Sequence, residues 1–170
     1  MNLPGRFEVL IITLSDRAYS GEYQDLSGPR IKEKLEEYFM VQKWESNIRI
    51  VLIPDDADVL QKLVTDAGNS TNLIFTTGGT GIGLRDITVD VVKPLLTKEI
   101  PGIMEFIRVK YGAEKPNALL SRGVAGITGK SLIYTLPGSL NAVDEYMSEI
   151  IKTLKHSILM QYGIDTHEKH

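Results

Sequence analysis

Three apolar runs, each spilling into a polar or glycine-rich loop and then into a segment with helical spacing, constrain this chain more than any other feature. Val9-Leu10-Ile11-Ile12-Thr13-Leu14 has no polar alternation, the mark of a strand covered on both faces and so of a central parallel strand. After it, Ser15 to Asp25 lacks periodicity, and Ser27 precedes Ile31, Leu35, Tyr38 and Phe39 at helical spacing. Ile48 to Ile53 forms a second run, stopped by Pro54-Asp55-Asp56, with Val59, Leu60, Leu63, Val64 and Ala67 along one helical face beyond it. Leu73-Ile74-Phe75 is a short third strand that empties into Thr76-Thr77-Gly78-Gly79-Thr80-Gly81. A helix is expected from near Thr88, capped by its hydroxyl, and another from Pro101 to Tyr111 with proline in its first turn. Strands alternating with helices imply α/β layers around a largely parallel sheet.

The last third departs from this rhythm. Arg122 to Thr128 and Ser131 to Leu136 are apolar stretches on either side of Gly129-Lys130, which reads as a hairpin and adds an antiparallel element. A long amphipathic helix then carries Val143, Tyr146, Met147, Ile150, Ile151, Leu154 and Ile158 on one side, with Ser139 or Asn141 as its cap. The polar stretch from Gln161 to His170 is expected to be a flexible tail. The whole predicts an α/β three-layer sandwich with a mostly parallel mixed sheet and a C-terminal antiparallel hairpin, and residues 1–170 are expected to form a single domain. At 170 residues and 42% apolar, the chain has material for one core.

Composition removes several function classes. With 22 acidic against 19 basic residues there is no basic footprint for nucleic acid. The lack of cysteine excludes a disulfide scaffold, a thiolate zinc site and a cysteine nucleophile, and points to the reducing cytoplasm. The run from Val9 to Leu14 is too short to span a bilayer, so no membrane partner is expected. His156, His167 and His170 have no metal-ligand spacing, and Trp44 stands alone in a loop.

The segment Thr76 to Asp86 carries the chemistry. Four glycines within six positions, Gly78, Gly79, Gly81 and Gly83, follow an apolar strand. They let the backbone approach a ligand and leave N–H groups to bond anionic oxygens. In open α/β sheets ligands sit at that end of the strands. It is neither of two common phosphate loops. The dinucleotide fingerprint needs a glycine where Leu84 or Asp86 stands, and Gly129-Lys130-Ser131 lacks the upstream glycine of a Walker loop, Val124 occupying that place. Carboxylates gather at the same strand ends: Asp16, then Asp55 and Asp56, then Asp86 and Asp90. Each alone reads equally as a helix cap. Together on one rim they would repel one another and call for a cation, for which Mg²⁺ is suited because it takes one or two carboxylates plus phosphate oxygens.

Taken in order, these residues resemble the molybdenum cofactor biosynthesis family that includes MogA, MoaB and the G domain of gephyrin. The resemblance rests on Ser15-Asp16-Arg17, Ile53-Pro54-Asp55-Asp56, Thr76 through Gly81 with Arg85-Asp86-Ile87-Thr88, Glu99-Ile100-Pro101-Gly102, Leu120-Ser121-Arg122, Gly126-Ile127-Thr128-Gly129-Lys130 and Leu136-Pro137-Gly138-Ser139. It implies a MogA-like fold and a nucleotidyltransferase, molybdopterin adenylyltransferase, that converts ATP and molybdopterin to adenylylated molybdopterin and pyrophosphate. It also implies a homotrimer, in some members a hexamer. The family's two catalytic aspartates fall on Asp55 and Asp86, which are also the expected Mg²⁺ ligands. The substrate-binding set expected on this basis is Ser15, Asp16, Thr77, Gly78, Gly79, Thr80, Gly81, Pro137, Gly138 and Ser139. Arg17 or Arg85 is expected to neutralise developing charge. Val89, Thr135 and Ile82-Gly83-Leu84 depart from the family's usual residues, which bears on loop geometry more than on the aspartates. Two other readings stand beside this one: a non-catalytic, MoaB-like pterin-binding or scaffold protein, and a competence-damage-type nucleotide hydrolase sharing the glycine loop.

Overall fold

The structure, a computed structural model, describes residues 2–164. Its centre is β1 (Phe7–Leu14), paired in parallel with β2 (Ser46–Ile53) on one side and β3 (Leu73–Thr77) on the other. The strand next to β3, again parallel, is β6 (Ser131–Leu136). Beyond it, β5 (Ala125–Thr128) and the two-residue β4 (Lys98–Glu99) are antiparallel, giving the order β2-β1-β3-β6-β5-β4. The helices are α1 (Asp16–Tyr19), α2 (Ser27–Gln42), α3 (Ala57–Ser70), α4 (Thr88–Val92), α5 (Pro101–Gly112) and α6 (Leu140–Gln161).

The unbroken apolar run of β1 has its explanation in two cores. Phe7, Val9 and Ile11 point to one face, where Ile31 and Leu35 of α2, Met104 and Ile107 of α5 and Val143 and Ile150 of α6 cover the sheet. Leu10, Ile12 and Leu14 point to the other, beneath Leu60 and Val64 of α3 and Val89 and Val92 of α4. Successive side chains of a strand alternate between faces, so a strand under helices on both sides must be apolar throughout. This is the mixed, mostly parallel α/β sandwich expected. Among the described residues no helix is long and apolar enough to cross a membrane.

Several local details differ from the expectations. Thr88 does not cap α4: its hydroxyl donates inward to the Gly78 carbonyl at 2.8 Å and the side chain is fully buried. The aperiodic stretch after β1 contains the single turn of α1, capped by Ser15, whose Oγ accepts from the Ala18 amide. β5 begins only at Ala125; Arg122 serves the glycine loop instead, Gly123 O accepts from Arg108, and Val124 bonds Thr135 of β6. Trp44 has a role after all, stacking on Phe7 with ring centroids 5.1 Å apart. At the far end, residues 161–164 are tied to the body: the Gln161 amide donates to the Lys130 carbonyl, and the Tyr162 hydroxyl accepts from Asn72. The rest of the expected tail, 165–170, lies outside the described residues.

One buried charge fastens α5 to α6. Glu149 is only 6% exposed and meets Lys110, Lys152 at 2.7 Å and the Tyr111 hydroxyl at 3.2 Å. Hydrogen bonds from Lys110 and Lys152 lower its carboxyl pKa to about 2. A depressed carboxylate pKa contributes stability above the unfolded-state value and loses it as the pH falls through the folded value. The contribution is therefore complete above about pH 4.5 and gone near pH 2. Glu149→Ala is expected to cost about 1.5–3 kcal/mol at neutral pH, with the gap to the parent closing in acid; denaturant melts at pH 7 and pH 3 measure both.

Candidate active site

The parallel register carries four strand ends to one rim. Leu14 pairs with Ile53, Thr13 with Thr77 and Thr77 with Leu136, so the chain leaves β1, β2, β3 and β6 at the same level. Ser15-Asp16-Arg17, Pro54-Asp55-Asp56, Gly78 to Gly81 and Pro137-Gly138-Ser139 meet there. Two clefts open on this rim. One, of about 470 Å³, is lined by Asp16, Arg17, Asp55, Gly79, Arg85 and Asp86 among others. The second, of about 480 Å³, includes Thr80, Gly81, Asn117, Asn141 and Tyr146. They share Gly79, Asp86 and Gly138, so the glycine loop is the wall between them.

The loop's carbonyls are all engaged. Gly78 O accepts from the Thr88 hydroxyl and Gly79 O from the Thr88 amide, while Thr80 O accepts from the Arg122 amide and Gly81 O from Arg122 Nε. The Gly78 amide donates to Leu136 O, continuing the β3–β6 ladder, and is consumed. The amides of Gly79, Thr80 and Gly81 have no acceptor among the described residues. A run of unfilled donors at the end of a parallel strand is an anion cradle. Only glycine fits the first two positions. Gly78 and Gly79 have φ of +101° and +66°, and a Cβ would lie 2.3 Å from Leu14 O and 2.5 Å from Thr88 Oγ1 respectively. Thr77, fully buried, donates to Pro137 O, and Gly138 lies against Gly78, so the last turn is packed onto the loop. Ser139 is the N-cap of α6, its Oγ accepting from the Ala142 amide.

The acids divide into organisers and free groups. Asp16 Oδ1 accepts from the Asp55 amide, and Asp55 Oδ2 accepts from the Asp16 amide, a reciprocal pair that locks the loops after β1 and β2 together. Asp16 Oδ2 is taken by Arg85 at 2.7 Å. The Asp55 amide and Arg85 together hold the Asp16 carboxyl below its ordinary range. Burial pushes Asp55 the other way, upward, and the charges of Asp16 and Asp86 add to that. Asp86 folds back over its own loop, Oδ2 accepting from the Gly83 amide at 2.7 Å. Asp56 is the cap of α3, accepting from the Asp58 and Val59 amides. Asp90 is paired with Arg122. Of the two arginines considered for charge neutralisation, Arg85 is bound to Asp16, whereas Arg17 makes no ion pair among the described residues and lies 5.2 Å from the Tyr23 ring centroid.

Two contributors had no role assigned in the sequence. Asp25 accepts from the Ser27 and Gly28 amides at the start of α2 and from the Thr13 hydroxyl, closing the floor of the first cleft. An aspartate two residues before a helix start is a capping signal, and that spacing could have revealed it. Arg122 supports the loop from 41 positions away in sequence, a partnership no local pattern carries.

Comparison with known proteins places the chain in a family. Residues 10–156 match a family described as "Probable molybdopterin binding domain". A molybdopterin adenylyltransferase of Helicobacter pylori is 37% identical over 155 residues, covering 90% of this chain and 86% of the relative. A molybdenum cofactor biosynthesis protein B of Staphylococcus carnosus is 41% identical over 138 residues, 79% of each chain. A solved structure of MogA superposes with a TM-score of 0.81 at 33% identity, covering 91% of this chain and 99% of its own.

Proposed function

The chain belongs to this molybdopterin-binding family of molybdenum cofactor biosynthesis, and from that premise we propose that it is a molybdopterin adenylyltransferase. The phosphate oxygen of molybdopterin attacks the α-phosphorus of ATP, the new P–O bond forms as the bond to the bridging oxygen of the β-phosphate breaks, and pyrophosphate leaves. A phosphate oxygen is already anionic, so no general base is required. The difficulty is electrostatic, since two polyanions must meet. The observation that carries the reading is that Gly79, Thr80 and Gly81, whose amides are unfilled among the described residues, line two clefts with a common wall together with Asp55 and Asp86.

In this reading the loop amides hold a substrate phosphate and Arg17 faces the developing charge. Asp16, both of whose oxygens are engaged, and Ser15, capping α1, shape the first cleft. Gly78 and Thr77 fix the loop, and Pro137, Gly138 and Ser139 border the second. Mg²⁺ fits the remaining donors. Asp55 and Asp86 each keep one oxygen without a hydrogen bond among the described residues. That ion takes one or two carboxylates and completes its shell with phosphate oxygens and water. Bound there it would supply positive charge against the triphosphate. No cluster of three or more acidic or histidine side chains able to hold a metal occurs among the described residues, so substrate oxygens and water would have to complete the shell. The same proposal includes a cytoplasmic location and a homotrimer; Phe106 and Val109 of α5 and the neighbouring Leu119 and Leu120, all more than half exposed, offer an apolar face for contact between copies.

Incubation with ATP, Mg²⁺ and molybdopterin, with mass detection of products, tests the reading. Adenylylated molybdopterin and pyrophosphate in equal amounts are expected. Tight pterin binding without product would establish the scaffold reading instead, and pyrophosphate released without pterin would establish the hydrolase.

A further inference from the structure

Arg122 touches neither cleft, yet it grips the loop between them. Its side chain lines a separate depression with Val89, Asp90, Lys93 and Pro94. From there Nε donates to Gly81 O at 2.7 Å and Nη2 to Asp86 O at 2.9 Å, the two ends of the segment that carries the Asp86 carboxylate. Its own amide holds Thr80 O at 2.8 Å. The guanidinium is anchored in turn by Asp90, with bonds of 2.9 and 3.0 Å. Its neighbour Ser121 donates to the Thr80 hydroxyl and accepts from Tyr146, adding a second strut at the same place.

Planar peptides turn these contacts into orientation. In a trans peptide the C=O and the following N–H point in opposite directions. Drawing Thr80 O towards Arg122 therefore turns the Gly81 N–H away from it, towards the clefts. Clamping Gly81 O and Asp86 O closes the intervening loop, so that Asp86 Oδ2 reaches the Gly83 amide at 2.7 Å. The planar, forked guanidinium makes four bonds here, to two carbonyls and both oxygens of one carboxylate, whereas an ammonium has three donors and no fixed fork. We propose that Arg122 is the positioning residue of this site: through Gly81 and Asp86 it sets both the direction of the anion-binding amides and the place of the Asp86 carboxylate. This rests on the adenylyltransferase reading only for its kinetic part.

Arg122→Lys keeps the charge and removes the fork. With misplacements of about 1 Å costing on the order of a hundredfold in rate, kcat is expected to fall about 30- to 100-fold, with KM for ATP changed less than about threefold and the thermal midpoint nearly constant. Independently of turnover, titration with inorganic phosphate followed by amide NMR shifts should perturb Gly79, Thr80 and Gly81 in the parent. In the variant the Gly81 response should weaken at least about fivefold. Asp90→Asn loosens the anchor without touching Arg122, should show both effects in milder form, and serves if the lysine variant does not fold. An unchanged Gly81 response overturns the proposal whatever kcat does, as does a parent whose loop amides ignore phosphate. A parent that makes no product but loses its Gly81 response in Arg122→Lys would end the adenylyltransferase reading and leave the positioning role standing.

Discussion

Asp86→Asn is expected to abolish adenylyl transfer, lowering kcat by about a thousandfold or more, equivalent to roughly 4 kcal/mol of transition-state stabilisation. The substitution is chosen so that geometry survives. An asparagine oxygen in place of Oδ2 can still accept from the Gly83 amide, so the loop keeps its brace and loses only the charge. Asp86→Ala removes both and is expected to perturb the loop as well. The proposed metal site has two carboxylates, so Asp55→Asn should be comparably severe while retaining its bond with the Asp16 amide. Product formation measured by mass, beside a thermal melt to verify folding, separates the cases. Near-parental turnover in Asp86→Asn would refute the assignment of that carboxylate to the chemistry.

The second large effect concerns stability. Gly78→Ala is expected to cost about 3–5 kcal/mol and lower the melting temperature by on the order of 10 °C. Two terms add. A side chain at φ +101° carries roughly 1–2 kcal/mol of left-handed strain. The new methyl would also stand 2.3 Å from the Leu14 carbonyl oxygen, which belongs to the central strand and cannot withdraw without disturbing its pairing with Ile53. Gly21→Ala isolates the first term: Gly21 has φ +85°, and nothing lies within 4 Å of the place its methyl would take. It should lose only the strain. Equal losses at the two positions, measured by denaturant melts, would show that the contact with Leu14 is soft.

The features legible in the chain are those a single segment displays. β1 announces itself because both faces are covered, and α6 because its apolar residues recur on one side over 22 residues. Strand ends and glycines mark a rim carrying Asp16, Asp55, Asp56, Asp86 and Asp90, and it is the family resemblance that singles out Asp55 and Asp86 among them. What escapes is made by partners distant in sequence. β4 is two residues long and exists only by pairing with β5, so no periodicity betrays it. Thr88 reads as a cap because threonine before an apolar helix usually is one. Its hydroxyl is instead drawn inward by the Gly78 carbonyl, a bond that depends on the glycine turn. In sequence the Gly78 amide counts with the other loop donors available to an anion, but in the fold the neighbouring β6 strand claims it.

The two carboxylates at the centre of the proposed chemistry stand on strands that are not equally secured. Asp55 follows β2, one of the two edge strands of the sheet, which borders one neighbour and is only partly covered, whereas the loop bearing Asp86 grows from β3, flanked on both sides and wholly buried. Fraying that begins at this margin would carry Asp55 away while the glycine cradle stayed intact. The molecule could then hold a phosphate yet fail to act on it, a disarmed state reached well short of global unfolding.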